Sequence, residues 1–544
     1  MGNTYSIGLD FGTLSARGVI ANVENGKTLP YESSFCYPHA ILSELDGVSL
    51  PKNYALQHPR DYIDALEFLI YDLLKNNYVD KNSIIGIGID FTDCTVLPVN
   101  EDYVPLCFFD EYKNEPHAYA KIWKHHTNEK YAQEIEQIAL KLDPSILSVT
   151  GGRMTSEFLI PKLYETLCEA PRLYNDTYKF MLAGDFIAYL LSGNKNIHSR
   201  AYSAKQHYDG DKFPSRDFFG SIDKSFEAVY EEKTITQLSS VELPIGTLSA
   251  EWVQKTGLSA SVAIAAPILD AHAAISASGI EEGRIVLALG TSAVVEALTD
   301  KHSGIDGILA RSYESVASGF TTIEAGLAAM GDLFDWFIKN CVPESYMQKA
   351  RDKGVNIHEY LRSLAERQGV GEHRLIALDW FNGSRSITLN NDLSGLIIGL
   401  RLSTKPEDIY RALIESTAFG IRRIFDCFRS QGVKIKSISA TGGIALKNPL
   451  LMQILSTALN MPIEVLASTQ ATALGSAIYG AVAGGAYVSV AEASRTMRSP
   501  IAITYYPNNN DRVAYDKIYT HYLSLCKYFQ KDSSIMKFLS ENNI

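Results

Sequence analysis

The residues best suited to chemistry begin near the amino terminus, in Ile7-Gly8-Leu9-Asp10-Phe11-Gly12-Thr13-Leu14-Ser15-Ala16-Arg17-Gly18-Val19-Ile20. This is an apolar strand, a Gly-Thr turn and a second apolar strand. Glycine lets the backbone come close to a phosphate, and the turn N–H groups and the threonine hydroxyl can donate to it. Gly12, Thr13, Ser15 and Arg17 are therefore read as phosphate-binding residues. Asp10, just before the turn, is placed to hold Mg²⁺ directly or through water and so screen the phosphate charge. A lone Asp here would read as a turn cap; its polar neighbours favour the metal. Half a chain later, Ile285-Val286-Leu287-Ala288-Leu289-Gly290-Thr291-Ser292-Ala293-Val294-Val295 repeats the pattern. Gly290 and Thr291 are read in the same way, and Ala288 in the place of Asp10 implies one metal position rather than two. A third segment, Ile438-Ser439-Ala440-Thr441-Gly442-Gly443, is a strand entering a Gly-Gly turn, with Asn448 opening a later helix. Gly442 and Gly443 permit a flat ligand to lie on the backbone, and Asn448 can hydrogen-bond a base or ribose. Finally, Asp270 ends the apolar run Val262–Leu269. It could accept a hydroxyl proton or merely cap the helix that starts at Ala271, and the residues alone do not separate the two.

These residues need strands and helices to hold them. Strand-like runs such as Ile84–Asp90 alternate with helix-like ones along the chain, which implies an α/β architecture with covered sheets. Pro267 in the run Val262–Leu269 argues for an edge position or a strand end. Thr404–Ser430 reads as a long amphipathic helix, with a capping-box pattern at Thr404 and Glu407 and Pro406 in its first turn. The stretch Ala471–Gly484 contains no charge, but its Ala, Gly, Ser and Thr content suits a buried helix with close backbone contacts better than a membrane span. From Ser499 onward a polar tail is expected, with a Tyr-rich helix over Asp516–Phe529. Two matching hairpins in 544 residues suggest two domains built on one plan; two unrelated hairpins are the competing explanation.

Fifty basic against 62 acidic residues give 50 − 62 = −12, which argues against a nucleic-acid partner. The seven cysteines are odd in number and scattered without a C-x-x-C pair, so they read as reduced thiols rather than a zinc site or disulfide frame. No signal-peptide pattern is seen at Met1–Tyr5, and a cytoplasmic location without membrane association is expected.

The strand, Gly-Gly turn and helix order resembles the adenosine motif of the sugar kinase, actin and heat-shock chaperone superfamily. With the two hairpins and the Ala-Gly-rich helix, the chain resembles the FGGY carbohydrate kinases over nearly its whole length. Within that family it is similar to the ribulokinase branch at Gly88–Thr95, Trp123–His126, Gly151–Glu157, Glu324–Gly326 and Leu378–Ser386. The resemblance implies two RNase H-like (actin-like ATPase) domains flanking a cleft: residues 1–276 with the sugar site and first phosphate hairpin, and residues 277–544 with the nucleotide site and a peripheral tail. It implies ATP and Mg²⁺ as cofactors, a small sugar as substrate, and phosphorylation of L-ribulose in L-arabinose catabolism. A homodimer is compatible with it. Asp270 would be the general base, taking a proton from the sugar hydroxyl that attacks the γ-phosphorus. Lys205 and Glu324 would contact the sugar, and Glu324 lies in an apolar setting where an unpaired carboxylate is costly. Asp93 falls in the loop expected to touch the sugar, where the family would carry a small residue. His125 and His126 would point about 100° apart on a helix and cannot easily share an ion, so a structural or substrate-rim role is expected. Competing readings are another FGGY kinase, for xylulose, ribitol or glycerol, and an actin- or chaperone-like conformational protein. The second is disfavoured by the concentrated polar motifs between Asp90 and Asp270.

Overall fold

The strands around Asp10 and Asp90 are buried on both faces: Ile7, Leu9 and Phe11, and likewise Ile87, Ile89 and Phe91, form one apolar face, and the small residues Ser6, Gly8, Gly86 and Gly88 on the other are buried too. Runs of this kind form the middle of a sheet covered by helices on both sides. In the computed structural model, which describes residues 3–51, 53–300 and 305–541, they do so. The chain forms two compact units, one of Met1–Glu281, Ala310–Thr322 and Gln470–Ser499, the other of Glu282–Leu309, Ile323–Thr469 and Pro500–Ile544.

In the first unit the sheet order is Pro244–Thr247, Ala263–Ala265, Ile84–Phe91, Tyr5–Phe11, Ser15–Asn22, Ser33–Cys36. Tyr5–Phe11 runs antiparallel to Ser15–Asn22 and parallel to Ile84–Phe91, with Asp10 opposite Arg17 on one side and Asp90 on the other. Ala263–Ala265 and Ile268–Leu269 both pair parallel with Ile84–Phe91. The strand Ala263–Ala265 lies inside the sheet and ends just before Ala266-Pro267, where proline has no N–H to donate, so the strand-end alternative holds; Ile268–Leu269 beyond it pairs with Ile84–Phe91 off the main strand order. One face is covered by the helix Pro59–Asn77 through Leu66, Leu69, Ile70 and Leu73. The other is covered by the helix Ala471–Ala483. That helix lies so close that a Cβ on Gly8 would stand 1.8 Å from the Ala473 carbonyl oxygen, and one on Gly88 1.8 Å from that of Ser476. The Ala-Gly composition is thereby explained: both surfaces must be nearly bare backbone.

In the second unit the order is Thr321–Leu327, Ala293–Thr299, Arg284–Leu289, Ser437–Thr441, Ile463–Leu466, Ile501–Tyr505. Again an antiparallel hairpin, Arg284–Leu289 with Ala293–Thr299, continues into parallel strands. The shared order answers the question the two hairpins pose: they are the same part of one plan used twice. The helix Pro406–Ser430 buries Leu413, Ile421 and Phe425 in this core.

Several expectations need correction. The first unit does not end in a single cut after residue 276. It extends to Glu281 and takes in Gln470–Ser499, because the helix Ala471–Ala483 buries its surface on the first unit's strands. At the start of the long helix the reciprocal partner is Asp408, whose carboxylate accepts the Lys405 N–H at 2.8 Å, and not Glu407. The helix begins at Pro406, so its third residue is Asp408. The Tyr-rich helix spans Asn509–Lys531, is followed by a short helix Ser534–Glu541, and is not peripheral. Tyr515, Tyr519, Tyr522 and Cys526 are buried in the second unit's core, with the Tyr522 hydroxyl donating to Asp379 at 2.5 Å. Among the described residues no helix is long and apolar enough to cross a membrane.

Candidate active site

The sheet of the first unit brings three carboxylates to adjacent strand ends. Asp10 and Asp90 are register neighbours, and Ile268 pairs with Asp90, which places Asp270 two residues further on. The carboxyl ends of parallel strands are where α/β sheets present ligand-binding groups. Asp10 is 5% exposed, and its Oδ2 accepts the Thr472 hydroxyl at 2.7 Å. Asp90 is fully buried, and its Oδ2 accepts the Ser476 hydroxyl at 2.6 Å. Burial first, then the charge of Asp10, pushes Asp90 well above the ordinary carboxylate range. The shift runs toward the neutral form, as expected for a buried carboxyl beside another carboxylate. Asp270 is the first residue of the helix Asp270–Ser278, and Leu269 occupies the cap position. Its Oδ1 accepts the N–H of adjacent Ala271 at 2.7 Å. The carboxylate stands at the positive end of the helix, partly exposed.

The first hairpin turn is closed by Gly12 N–H donating to the Ser15 carbonyl at 3.0 Å. The Trp123 indole donates to the Thr13 hydroxyl at 3.3 Å, and the Gln57 amide donates to the Thr13 carbonyl. Arg17 stands opposite Asp10 in register and is exposed. Support of the turn by Trp123 gives the Trp123–His126 motif a purpose that sequence reasoning misses. Of its histidines, His125 is buried and His126 is exposed. His125 accepts the Ala55 N–H on Nδ1, so Nε2 carries the proton and donates to Glu165 at 3.0 Å. Lys121 donates to the same Glu165 oxygen at 2.6 Å. His126 pairs with the Ser156 hydroxyl at 2.8 Å.

Lys205, 3% exposed, forms an ion pair with Asp93 at 3.1 Å and lies 5.5 Å from the centre of the Phe158 ring. It is thus a buried cation rather than a solvated one. Tyr202 ties this pair to the strand ends: burial raises its pKa, and so do the fields of Asp185, Asp93, Asp90 and Asp270.

In the second unit, Gly290, Gly443 and Asn448 line one cavity of about 600 Å³. The tip of the second hairpin is fixed by Gly331 N–H donating to the Gly290 carbonyl at 3.0 Å and Met330 N–H to that of Thr291 at 2.8 Å. Gly442 has φ +99°, and a Cβ on it would stand 2.4 Å from the Leu289 carbonyl oxygen, so only glycine serves there. Asn448 caps the helix Pro449–Leu459 by accepting the Leu451 N–H at 3.2 Å. Asn356, His358 and Arg362 also line the cavity. They belong to the start and exposed side of an amphipathic helix, Ile357–Ala365, and nothing in their sequence pattern marks them. Glu324 is 9% exposed on Thr321–Leu327 and pairs with Arg385 at 3.3 Å, while the Ser386 hydroxyl accepts the Gly326 N–H at 2.7 Å. The segment Leu378–Ser386 thus supplies the partner that this buried carboxylate requires.

Residues 285–484 match the model of the FGGY family of carbohydrate kinases, C-terminal domain. The chain is 39% identical to a ribulokinase of Bacillus licheniformis, over 97% of each chain. It is 38% identical to a ribulokinase of Halalkalibacterium halodurans, over 99% of this chain and 97% of that one. Among solved structures, a ligand-bound xylulose kinase from Lactobacillus acidophilus superposes with a TM-score of 0.81 at 18% identity, covering 97% of this chain and 99% of that one. A glycerol kinase from Plasmodium falciparum with ADP gives 0.74 at 17% identity, over 96% and 98%. These likenesses show the fold, two sheet-containing domains of the actin-like ATPase kind, and the full-length similarity shows the lineage. The chain belongs to the FGGY family of carbohydrate kinases.

Proposed function

We propose that the chain transfers the γ-phosphoryl group of ATP to L-ribulose, giving L-ribulose 5-phosphate and ADP in the catabolism of L-arabinose. The observation that carries the reading is the placing of Asp10, Asp90 and Asp270 at neighbouring parallel strand ends, with Asp270 alone of the three partly exposed and at a helix start. In a relative of ribulokinases along its whole length, that carboxylate is the natural general base. It takes the proton of the sugar hydroxyl as the oxygen bonds to phosphorus and the bond to the ADP oxygen breaks. Asp10 would hold Mg²⁺. Among the described residues no group of three or more His, Cys, Asp or Glu could form a metal cage, which suits an ion bound through one carboxylate, water and phosphate. When bound, the ion screens the phosphate charge. Gly12, Thr13, Ser15, Arg17, Gly290 and Thr291 serve the phosphates, and Gly442, Gly443 and Asn448 serve the nucleoside. Asp93, Lys205 and Glu324 serve the sugar, so residues 1–276 carry most of the sugar site and residues 277–544 the nucleoside site. Dependence on ATP supports a cytoplasmic setting.

The test is ADP release with a panel of L-ribulose, D-ribulose, D-xylulose, ribitol and glycerol. The reading requires L-ribulose to give the highest kcat/KM. Preference for xylulose or glycerol, or ADP release that no sugar stimulates, overturns it.

A further inference from the structure

The cavity of the second unit is lined by Gly290, Gly443 and Asn448 from the second hairpin and the Gly-Gly turn, and also by aromatic surface. Phe334, on the helix Gly331–Cys341, is 3% exposed, and Tyr410, on the helix Pro406–Ser430, is 1% exposed; their ring centres are 5.8 Å apart. His358 meets Tyr410 from the first turn of the helix Ile357–Ala365, with Nδ1 3.3 Å from the Tyr410 hydroxyl.

This contact fixes where the imidazole proton lies. Burial raises the Tyr410 pKa and keeps the side chain a phenol. A buried phenol has to place its own proton on an acceptor, and among the described residues His358 Nδ1 is the partner it has. The hydroxyl therefore donates to Nδ1, and in a neutral ring the remaining proton sits on Nε2. The neutral ring is favoured, since partial burial lowers the His358 pKa from 6.5 more than Asp335 raises it. Nε2–H is thus a donor with no partner among the described residues, on a side chain that lines the cavity. Its neighbours are engaged within the protein: Asn356 Oδ1 accepts the Glu359 N–H at 2.8 Å, and Arg362 donates to Glu366 at 2.9 Å.

A neutral donor beside aromatic surface suits a nucleobase better than a phosphate, which calls for cations or grouped backbone N–H groups. Purines offer ring nitrogens as acceptors. We propose that His358 contacts the base of ATP, donating from Nε2–H to a purine ring nitrogen, and that Tyr410 is a positioning residue that holds the imidazole in this tautomer. The inference rests on the reading of Gly443 and Asn448 as the nucleoside site and deepens it.

Binding of ATP and of its 1-deaza, 3-deaza and 7-deaza analogues is measured by calorimetry on the full chain. The analogue that lacks the acceptor met by Nε2–H should bind the wild-type protein at least about threefold more weakly than ATP. In His358→Phe the margin between ATP and that analogue should vanish. His358→Gln, whose amide N–H takes the place of Nε2–H, should keep part of it, which a merely structural role would not. Tyr410→Phe should shrink the margin in the wild-type background and change nothing further beside His358→Phe. L-ribulose binding reports whether each variant folds, and if His358→Phe does not, the wild-type series and Tyr410→Phe carry the test. All three analogues binding the wild-type protein as ATP does would overturn the inference. So would a margin that survives His358→Phe; if that margin is then lost in Tyr410→Phe, the phenol itself is the donor. Gly443→Leu, where an added Cβ meets no protein atom within 4 Å, tests the underlying reading separately. If it leaves ATP binding untouched, the nucleoside reading fails and this inference with it; ATP binding blocked by Gly443→Leu without any analogue margin defeats only the inference.

Discussion

Replacing Asp270 by Asn separates chemistry from folding more cleanly than any other single change. The Asp270 carboxylate oxygen accepts the Ala271 N–H at 2.7 Å, a bond the asparagine carbonyl oxygen can keep. The helix N-terminus loses a negative charge, worth about 0.3–1 kcal/mol, or a few degrees in Tm for a unit of this size. The loss in catalysis should be far larger. A positioned general base contributes about 10²–10⁴ in rate, or about 2.7–5.4 kcal/mol in the barrier. Asp90, next along the sheet, is poorly placed to substitute, because it is fully buried and burial, then Asp10, shifts its carboxyl toward the neutral form. ADP release at saturating L-ribulose and ATP should therefore fall at least about a hundredfold, while calorimetric ATP affinity and the unfolding midpoint stay near wild type. Turnover within about tenfold of wild type would refute the assignment of Asp270. A variant that fails to fold would refute the claim that its local bonding survives.

The remaining predictions concern the supports of the site. Asp10→Ala should weaken Mg-ATP at least about tenfold and leave pentose binding nearly unchanged; titrating each ligand by calorimetry decides it, and equal losses would make Asp10 structural. Gly88→Ala drives a methyl to 1.8 Å from the Ser476 carbonyl oxygen, and the backbone shift should cost about 1–3 kcal/mol or more in urea unfolding. Glu165→Gln leaves the Lys121 ammonium buried without its anion and should cost about 3–5 kcal/mol at pH 7. Burial alone would raise the Glu165 pKa, but Lys121 together with His125 overrides this and holds it below the ordinary range. Its contribution is thus full at neutral pH and fades as the pH falls below the usual Glu value of about 4.3, so wild type and variant should converge on acidification.

Local features of the fold were legible because they leave a local trace. The hairpins around Gly12 and Gly290 show as small polar breaks in apolar runs, and the sheet confirms them at Tyr5–Asn22 and Arg284–Thr299. The chargeless Ala-Gly stretch marked a buried helix, and Ala471–Ala483 is one. Pro267 marked a break in its strand but not the strand's place inside the sheet, since a proline reports its own missing N–H and not its neighbours. Partnerships across the chain were not legible. Glu324 was recognisable as a costly carboxylate, yet its relief by Arg385, 61 residues away, follows only from the fold. The burial of Lys205 was not legible, because periodicity reports which side of a long element is apolar and says nothing about a single short turn such as Ala204–Gln206. Residues 356–362 were missed for the same reason: their side of the helix is polar whether it faces water or a cavity.

The helix Ala471–Ala483 shows how such a distant partnership sets the site. Thr472 and Ser476 are four residues apart, one turn along the same face, or about 6 Å. Adjacent strands lie about 4.8 Å apart. One helix laid across two neighbouring strands can therefore bring one hydroxyl to each, and it does so, Thr472 to Asp10 and Ser476 to Asp90. The match works only at backbone contact distance, which is what Gly8 and Gly88 permit on the strands. Any side chain at either glycine would lift the helix and lengthen both hydroxyl bonds together. Asp90 would then lose the bond that favours its charged form, and Asp10 the hydroxyl bond from Thr472. The glycines of the strands thus act on the carboxylates without touching them, and the sequence separation of more than 380 residues between helix and strands is the reason the unit is assembled from discontinuous segments.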